Sequence, residues 1–179
     1  MKKININKNY GTLFFITGLS GSGKSSISKK IAKKIERIYG PTFLYSGERV
    51  RNIFKFYGYS RKERIELGKK NIQFINYILK QKINVVYDAI ALLKVLRKIK
   101  RKTINNYVEI FIKTNVKEII KFNKKKKIYK KYTKNVVGMH IKPEFPNNPD
   151  IIIVNNFNKN IDKLANELFR KIKERVVIK

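Results

Sequence analysis

The chain has 179 residues, a formal net charge of +31 and no cysteine. The length is typical of one domain with a sizeable core, so we expect a single domain over residues 1–179. The lack of cysteine excludes disulfides and thiolate metal sites, and no segment has the pattern of a signal peptide or a membrane span. We therefore expect a cytoplasmic protein without a membrane span.

The large positive charge would suit a nucleic-acid partner, because a basic surface attracts phosphate without regard to sequence. Lysine, however, supplies 34 of the 43 basic residues, and these lysines are spread over most predicted helices. Base readout favours arginine, whose planar fork matches base edges. We interpret the charge as solvated lysine and do not expect nucleic acid as a partner.

The first half of the chain alternates strand and helix patterns. Residues 1–10 are polar and are predicted as a lead-in. A continuous apolar run predicts a buried central strand over 11–17, and isoleucines at helical spacing predict a helix over 24–38. A short strand over 42–46 and a helical stretch to about residue 56 follow. Ser60 and Glu63 form a capping-box pattern that opens a long helix ending near residue 82.

The second half continues the alternation. Strands are predicted over 83–87, 107–113 and 150–154, and helices over 92–102, 116–123 and 161–176. We interpret the Lys-rich and aperiodic stretch of about 124–149 as a lid. Phe74, Tyr77 and Phe111 are predicted in the core, and the basic run 94–102 as a solvated helix face. Alternating strands and helices predict an α/β fold with a parallel sheet of about five strands and helices on both faces.

A phosphate-binding loop, here called the P-loop (residues 18–25), follows the first long strand. It matches G-x-x-x-x-G-K-[ST], with a strand before it and a helix after it, as this motif requires. Glycines let the backbone N–H groups cradle phosphates, Lys24 reaches the β- and γ-phosphates, and Ser25 offers a hydroxyl to Mg²⁺. We therefore predict an ATP site with Mg²⁺. Its residues are Gly18, Leu19, Ser20, Gly21, Ser22, Gly23, Lys24, Ser25 and Ser26.

With these motifs in place, the chain resembles the adenylylsulfate (APS) kinase family, P-loop kinases that transfer the ATP γ-phosphoryl to the 3′-hydroxyl of adenosine 5′-phosphosulfate. The resemblance runs from about residue 12 to 155 and rests on six ordered segments. These are 18–26, Ser46-Gly47-Glu48 with Arg51, Gly58-Tyr59-Ser60 with Glu63-Arg64, 90–97, 128–131, and Gly138 through Pro149-Asp150.

The resemblance implies roles for individual residues. Glu48 stands at the position of the family's carboxylate that accepts the proton of the 3′-hydroxyl. Arg51 and Arg64 stand at the positions that hold the phosphosulfate, and Tyr59 at the position that stacks on the acceptor base. Four further positions match: Ile90 on the acceptor side, Lys130 and Lys131 in the lid, and Arg97, which would steady the transferring phosphoryl group.

Most departures from the family pattern lie on the acceptor side. Ser46 replaces the first carboxylate of the family's Asp-Gly-Asp, Leu67 replaces an asparagine and Ala91 replaces a serine, while the second stacking aromatic aligns near Val136. We hypothesise that Asp88 takes over the carboxylate lost at Ser46 in holding Mg²⁺. The alternative is that Asp88 only caps the next segment.

The sequence therefore predicts a kinase that acts on the 3′-hydroxyl of a nucleoside 5′-phospho-anhydride, APS in the first place. One alternative is the same chemistry on another nucleotide, such as cytidine diphosphoramidate, a substrate linked to capsule synthesis. A second is a polynucleotide-end kinase or RNA-binding P-loop protein, and a third is a degenerate protein that binds nucleotide without turnover. The resemblance also leads us to expect a homodimer.

Overall fold

The computed structural model describes residues 3–122 and 136–179. Within these ranges the strands are β1 (Ile4–Ile6), β2 (Leu13–Thr17), β3 (Thr42–Ser46), β4 (Asn84–Ala89), β5 (Tyr107–Lys113), β6 (Ile151–Val154) and β7 (Val176–Ile178). The helices are α1 (Lys24–Tyr39), α2 (Gly47–Ile53), α3 (Arg61–Lys80), α4 (Lys94–Thr103), α5 (Val116–Phe122) and α6 (Ile161–Arg175).

Five strands form one parallel sheet in the order β3-β4-β2-β5-β6. The strand that precedes the P-loop, β2, is central, and all five of its residues are buried. The predicted α/β fold with a five-stranded parallel sheet is therefore confirmed. Since every strand points the same way, all carboxyl ends meet at one edge, where open α/β sheets bind their ligands.

Helices cover both faces of this sheet, as predicted. Alternate residues of β2 point to opposite faces, so Phe14 packs on one side and Phe15 on the other. The first layer contains α1 and α6, and the second contains α3 and α4. The N-terminus of α3 has the predicted capping box, in which the Ser60 side chain accepts a hydrogen bond from the Glu63 backbone N–H.

Residues 1–10 were predicted as a lead-in, and this is wrong for Ile4–Ile6, which form the strand β1. Ile4–Ile6 pairs in parallel with Val176–Ile178 as a separate two-stranded sheet. Ile6 and Val176 are both buried in the layer that contains α1 and α6. A strand of three residues carries little signal of its own, and its partner lies at the other end of the sequence, so local patterning did not reveal it.

Two predictions about the core are wrong. Phe74 and Tyr77 are 44% and 66% exposed, because they lie on the face of α3 opposite its buried stripe, whereas Phe111 is buried as predicted. The basic run of α4 is not wholly solvated either, since Arg97 and Lys100 are buried. Both lie at helical spacing from buried Leu93 and Leu96, so they continue the apolar stripe rather than the polar face.

Lys100 reaches into the core between α4 and the sheet. Its Nζ lies 3.4 Å from the centroid of the Phe15 ring and has no hydrogen-bond partner among the described residues. Burial lowers the pKa of Lys100 to about 7, although the negative charge of Glu109 acts in the opposite direction and the positive charge of Arg97 adds to the lowering. Keeping this ammonium charged in the folded state is therefore unfavourable.

We expect Lys100→Met to stabilise the fold and to flatten its pH dependence. In the unfolded chain the lysine pKa is 10.5, so between about pH 7 and 10 the unfolded state holds a proton that the folded state has released. The wild-type free energy of unfolding should therefore rise through this window, and Lys100→Met should exceed it by on the order of a few kcal/mol at pH 6. Urea unfolding between pH 6 and 10 measures both effects. Lys102→Met, an exposed control on the same helix, should leave the pH dependence as it is.

Candidate active site

A cleft of about 990 Å³ opens at the carboxyl edge of the five-stranded sheet. One wall is the P-loop with the start of α1, and the opposite wall is α2 with the first half of α3. The segment from β4 to α4 forms the base between them. Val136, Val137 and Ile141, from the described part of the predicted lid, lie along a further side.

The P-loop depends on close backbone packing. Gly23 has φ of 92°, in the left-handed region, and a Cβ there would lie 3.0 Å from the Asn155 amide nitrogen. At Gly18 a Cβ would lie 2.6 Å from the carbonyl oxygen of Ile112. Asn155 follows β6 and donates a hydrogen bond of 3.0 Å to the Ser22 carbonyl oxygen. Only glycine fits these two positions without moving neighbouring backbone or this asparagine.

The predicted ATP residues fall into two groups. Leu19, Ser22 and Gly18 are buried under the loop and support its shape. Lys24 is buried, and its Nζ donates a hydrogen bond of 2.6 Å to the Leu19 carbonyl oxygen, which folds the ammonium over the loop. The residues that line the cleft itself are Ser20, Gly21, Gly23, Lys24, Ser25 and Ser26.

Asp88 lies in the centre of the base of the cleft and is 3% exposed. The Ser25 hydroxyl donates a hydrogen bond of 2.7 Å to its Oδ2, and the Ser46 hydroxyl also donates to this carboxylate. Burial is the main cause that raises the pKa of Asp88. The two hydroxyls and Lys24 lower it, while Glu48 raises it. The alternative, in which Asp88 only caps the next segment, has no support, because the next helix, α4, begins at Lys94 without a side-chain cap.

This oxygen pair is of the type that Mg²⁺ requires. A serine hydroxyl and a carboxylate are hard ligands, and Mg²⁺ usually takes one or two protein oxygens and completes its shell with phosphates and water. Within residues 3–122 and 136–179, no three His, Cys, Asp or Glu side chains cluster closely enough to hold a metal ion by themselves. Ser25 and Asp88 therefore fit an ion that is shared with a nucleotide.

The predicted acceptor residues line the wall opposite the P-loop. Glu48 lies in the first turn of α2, and Arg51 one turn later. The guanidinium carbons of Arg51 and Arg64 lie 4.7 Å and 5.5 Å from the centroid of the Tyr59 ring. Arg51 also donates a hydrogen bond of 2.7 Å to the Gly58 carbonyl oxygen, so the loop before α3 gathers both arginines on one aromatic ring.

Burial and the nearby charge of Arg51 both lower the pKa of Arg64. Two guanidiniums held on one ring repel each other, and an anion placed between them would relieve that repulsion. The mouth of the acceptor side therefore has the electrostatic character of an anion site.

Three further predictions have different outcomes. Ile90 lines the cleft. Lys130 and Lys131 lie outside the described residues. Arg97 does not line the cleft, because its guanidinium donates to the carbonyl oxygens of Glu144 and Phe145 at 2.6 and 3.2 Å. In this arrangement Arg97 fixes the segment that ends the predicted lid, and it is not positioned to steady a phosphoryl group.

Sequence reasoning missed several polar residues of the cleft. Arg61 lines it and pairs with Glu144 at 2.8 Å. Asn71 and Tyr87 line it deeper inside, and both are buried. Asn71 had a detectable signal, because it is a polar residue on the same helical stripe as Leu67 and Ile75. Tyr87, inside β4, and Asn155, directly after β6, had none, since their roles depend on three-dimensional packing.

A P-loop after the central strand, a hydroxyl–carboxylate pair beside it and arginines across the cleft define a P-loop kinase that acts on nucleotides. The adenylylsulphate kinase family model matches residues 10–154. The chain therefore belongs to the adenylylsulfate kinase family and is an ATP-dependent phosphotransferase of that type, as the sequence predicts.

Individual relatives agree with this assignment. The chain is 29% identical over 168 residues to the cytidine diphosphoramidate kinase of Campylobacter jejuni. This alignment covers 92% of this chain and 98% of that protein. It is 27% identical over 173 residues to the adenylyl-sulfate kinase of Clostridium kluyveri, covering 92% and 86%.

A solved structure shows the same fold. The Mycobacterium tuberculosis APS kinase in complex with AMPPNP and APS superimposes with a TM-score of 0.80 at 22% identity, over 92% of this chain and 98% of that one. Among the helices of residues 3–122 and 136–179, none has the length and apolar character needed to span a bilayer.

We expect Asp88→Asn to raise the Mg²⁺ concentration needed for half-maximal ATP turnover by about tenfold or more, because an amide oxygen carries no charge to attract the ion. A Mg²⁺ titration at saturating ATP measures this. Ser46→Ala is the matched control, since it removes a neighbour of Asp88 without removing a charge, and its effect should be small. An unchanged titration for Asp88→Asn would contradict the role of Asp88.

Proposed function

We propose that this protein transfers the ATP γ-phosphoryl group to the 3′-hydroxyl of a nucleoside 5′-phospho-anhydride. The proposal rests on the positions of the charged and polar side chains within one cleft. Lys24, Ser25 and Asp88 lie on the donor side, and the carboxylate of Glu48 lies on the opposite side, beside the arginine pair. A donor phosphate and an acceptor hydroxyl would meet between them.

In the proposed reaction the P-loop N–H groups and Lys24 hold the β- and γ-phosphates of ATP. Glu48 orients the 3′-hydroxyl and accepts its proton as the O3′–P bond forms and the bond from Pγ to the bridging oxygen breaks, which leaves ADP. Mg²⁺, held by Ser25 and Asp88, would supply neutralisation of the phosphate charge when bound. Positioning and electrostatics would therefore provide most of the rate enhancement.

The acceptor's 5′-anhydride is assigned to Arg51 and Arg64. Their shared position on the Tyr59 ring presents two guanidiniums to one anion, and such charge-assisted hydrogen bonds are strong. Tyr59 is 47% exposed at the mouth of the cleft, where a base can lie against it. The acceptor would then enter with its base outermost and its 3′-hydroxyl towards Glu48.

For the acceptor itself we propose cytidine diphosphoramidate. One support is that the chain departs from the APS kinase pattern on the acceptor side, at Leu67, Ala91 and Val136, all of which line the cleft. The other is the similarity to the Campylobacter jejuni cytidine diphosphoramidate kinase. Val136 offers less stacking surface than an aromatic ring, which suits a single-ring base. APS is the second candidate, because the family match and Tyr59 favour it.

We expect Glu48→Gln to lower kcat by about 10²- to 10⁴-fold with little change in the KM for ATP, since only the proton acceptor is lost. A coupled ADP-release assay at saturating acceptor measures both constants. Glu66→Gln, on the exposed face of α3, is the control and should behave as wild type. A Glu48→Gln enzyme with wild-type kcat would remove Glu48 from the reaction.

We expect the purified protein to use cytidine diphosphoramidate with a kcat/KM at least about tenfold above that for APS, because the acceptor wall departs from the APS pattern. ADP release with each acceptor decides this, and Lys24→Ala should abolish turnover of both. A preference for APS would reverse the choice of acceptor while leaving the chemistry in place. Turnover that requires added RNA would instead favour a polynucleotide kinase.

A further inference from the structure

Three buried side chains form a hydrogen-bonded chain at the inner end of the acceptor wall. The Tyr45 hydroxyl donates to Asn71 Oδ1 at 2.9 Å, and Asn71 Nδ2 donates to the Tyr87 hydroxyl oxygen at 3.2 Å. Asn71 and Tyr87 line the cleft although they are only 6% and 4% exposed. Each has a hydrogen left to donate, because the second Asn71 amide hydrogen and the Tyr87 hydroxyl hydrogen are not used in this chain of bonds.

The cleft wall next to Asn71 is apolar. Leu67, Gly68 and Leu96 lie around Asn71 in the cleft wall. Burial raises the pKa of Tyr45 to about 12 and raises that of Tyr87 as well, so both hydroxyls stay neutral at physiological pH. The negative charge of Asp88 also raises the pKa of Tyr87, whereas the positive charge of Arg51 lowers it.

The basic groups of the acceptor wall lie further out. Arg64, Leu67 and Asn71 follow one another at helical spacing along α3, so Asn71 is about two turns from Arg64. The Arg64 Nε donates to the Tyr59 carbonyl oxygen at 2.7 Å, which turns its guanidinium towards the mouth. An anhydride bound at the arginines would reach Asn71 with its terminal group directed inwards along α3.

We propose that Asn71 and Tyr87 form a neutral subsite for the terminal group of the acceptor's 5′-anhydride, and that this subsite selects terminal groups with a single negative charge over a terminal phosphate. The proposal rests on the proposed function. Two neutral donors satisfy oxygens of a sulfate or a phosphoramidate. The second charge of a terminal phosphate would enter the apolar part of the wall beside Asp88, and neither Asn71 nor Tyr87 carries a positive charge to pair with it.

This selection has a chemical purpose. A nucleoside diphosphate differs from a nucleoside diphosphoramidate only by an oxygen in place of a nitrogen, so shape alone cannot reject it. The two also differ in charge at the terminal group, and a desolvated neutral subsite penalises the dianion without contacting the base. Asn71 and Tyr87 would thus be specificity-determining residues that act at the end of the acceptor opposite its base.

The test compares acceptors that share a base and differ at the terminal group: cytidine diphosphoramidate, CDP and CMP, with APS, ADP and AMP as the adenosine series. Cytidine diphosphoramidate and APS, whose terminal group carries a single charge, are here called the capped acceptors. In each series we expect the wild-type kcat/KM for the capped acceptor to exceed that for the diphosphate by about 100-fold. Tyr87→Phe, which removes one hydroxyl, should lower kcat/KM about tenfold for the capped acceptor and leave the monophosphate within about twofold. Where the monophosphate turns over too slowly, its inhibition constant replaces kcat/KM.

Asn71→Leu should repeat this pattern, and Tyr77→Phe, an exposed tyrosine on α3, should not change any constant. A wild-type enzyme that uses the diphosphate as well as the capped acceptor overturns the proposal. The proposal is also overturned if Tyr87→Phe lowers kcat/KM equally for the capped acceptor and the monophosphate, since the hydroxyl would then have only a structural role. In both cases turnover itself upholds the proposed 3′-kinase. Absence of turnover with all six acceptors overturns the proposed function and the subsite together.

Discussion

The hydrogen bond between Ser25 and Asp88 joins the two parts of the chain on which the site depends. It exists because β2 and β4 are neighbours in a parallel sheet, paired so that Ile16 lies opposite Asp88. The turn that leaves β2 becomes the P-loop, and the end of β4 delivers a carboxylate to the same edge. A single residue of slip in that register would turn Asp88 to the other face of the sheet and leave the P-loop serine without a carboxylate.

The same edge separates the site into a donor half and an acceptor half. The donor half is built from backbone groups and short side chains, whose positions are fixed by glycine packing at Gly18 and Gly23. The acceptor half is built from longer side chains on α2 and α3, where Arg51 and Arg64 rest on one tyrosine. On the acceptor side the departures from the family pattern are Leu67 on α3, Ala91 between β4 and α4, and Val136, all of which line the cleft.

Much of this arrangement was predictable, and the reasons for the failures are physical. The predicted bounds 42–46 and 107–113 agree with β3 and β5, since apolar runs bounded by turn residues are local signals. The P-loop and the family membership follow from contiguous motifs. The role predicted for Arg97 came from a family position, whereas its guanidinium binds the carbonyl oxygens of Glu144 and Phe145, in a segment distant in sequence. Asn71 is a polar residue on the buried stripe of α3, which is a detectable signal, but only packing shows that this part of the stripe meets the cleft.

The pairing of Ile4–Ile6 with Val176–Ile178 has a consequence for the order in which the protein is assembled on the ribosome. β1 precedes all five strands of the central sheet in the chain and its partner β7 follows them, so the central sheet can form before β1 has its partner. Closing so long a loop is entropically costly and contributes strongly to contact order. Until residues 176–178 have been synthesised, β1 has no strand to pair with, and Ile6 lacks the neighbouring Val176 with which it shares the core.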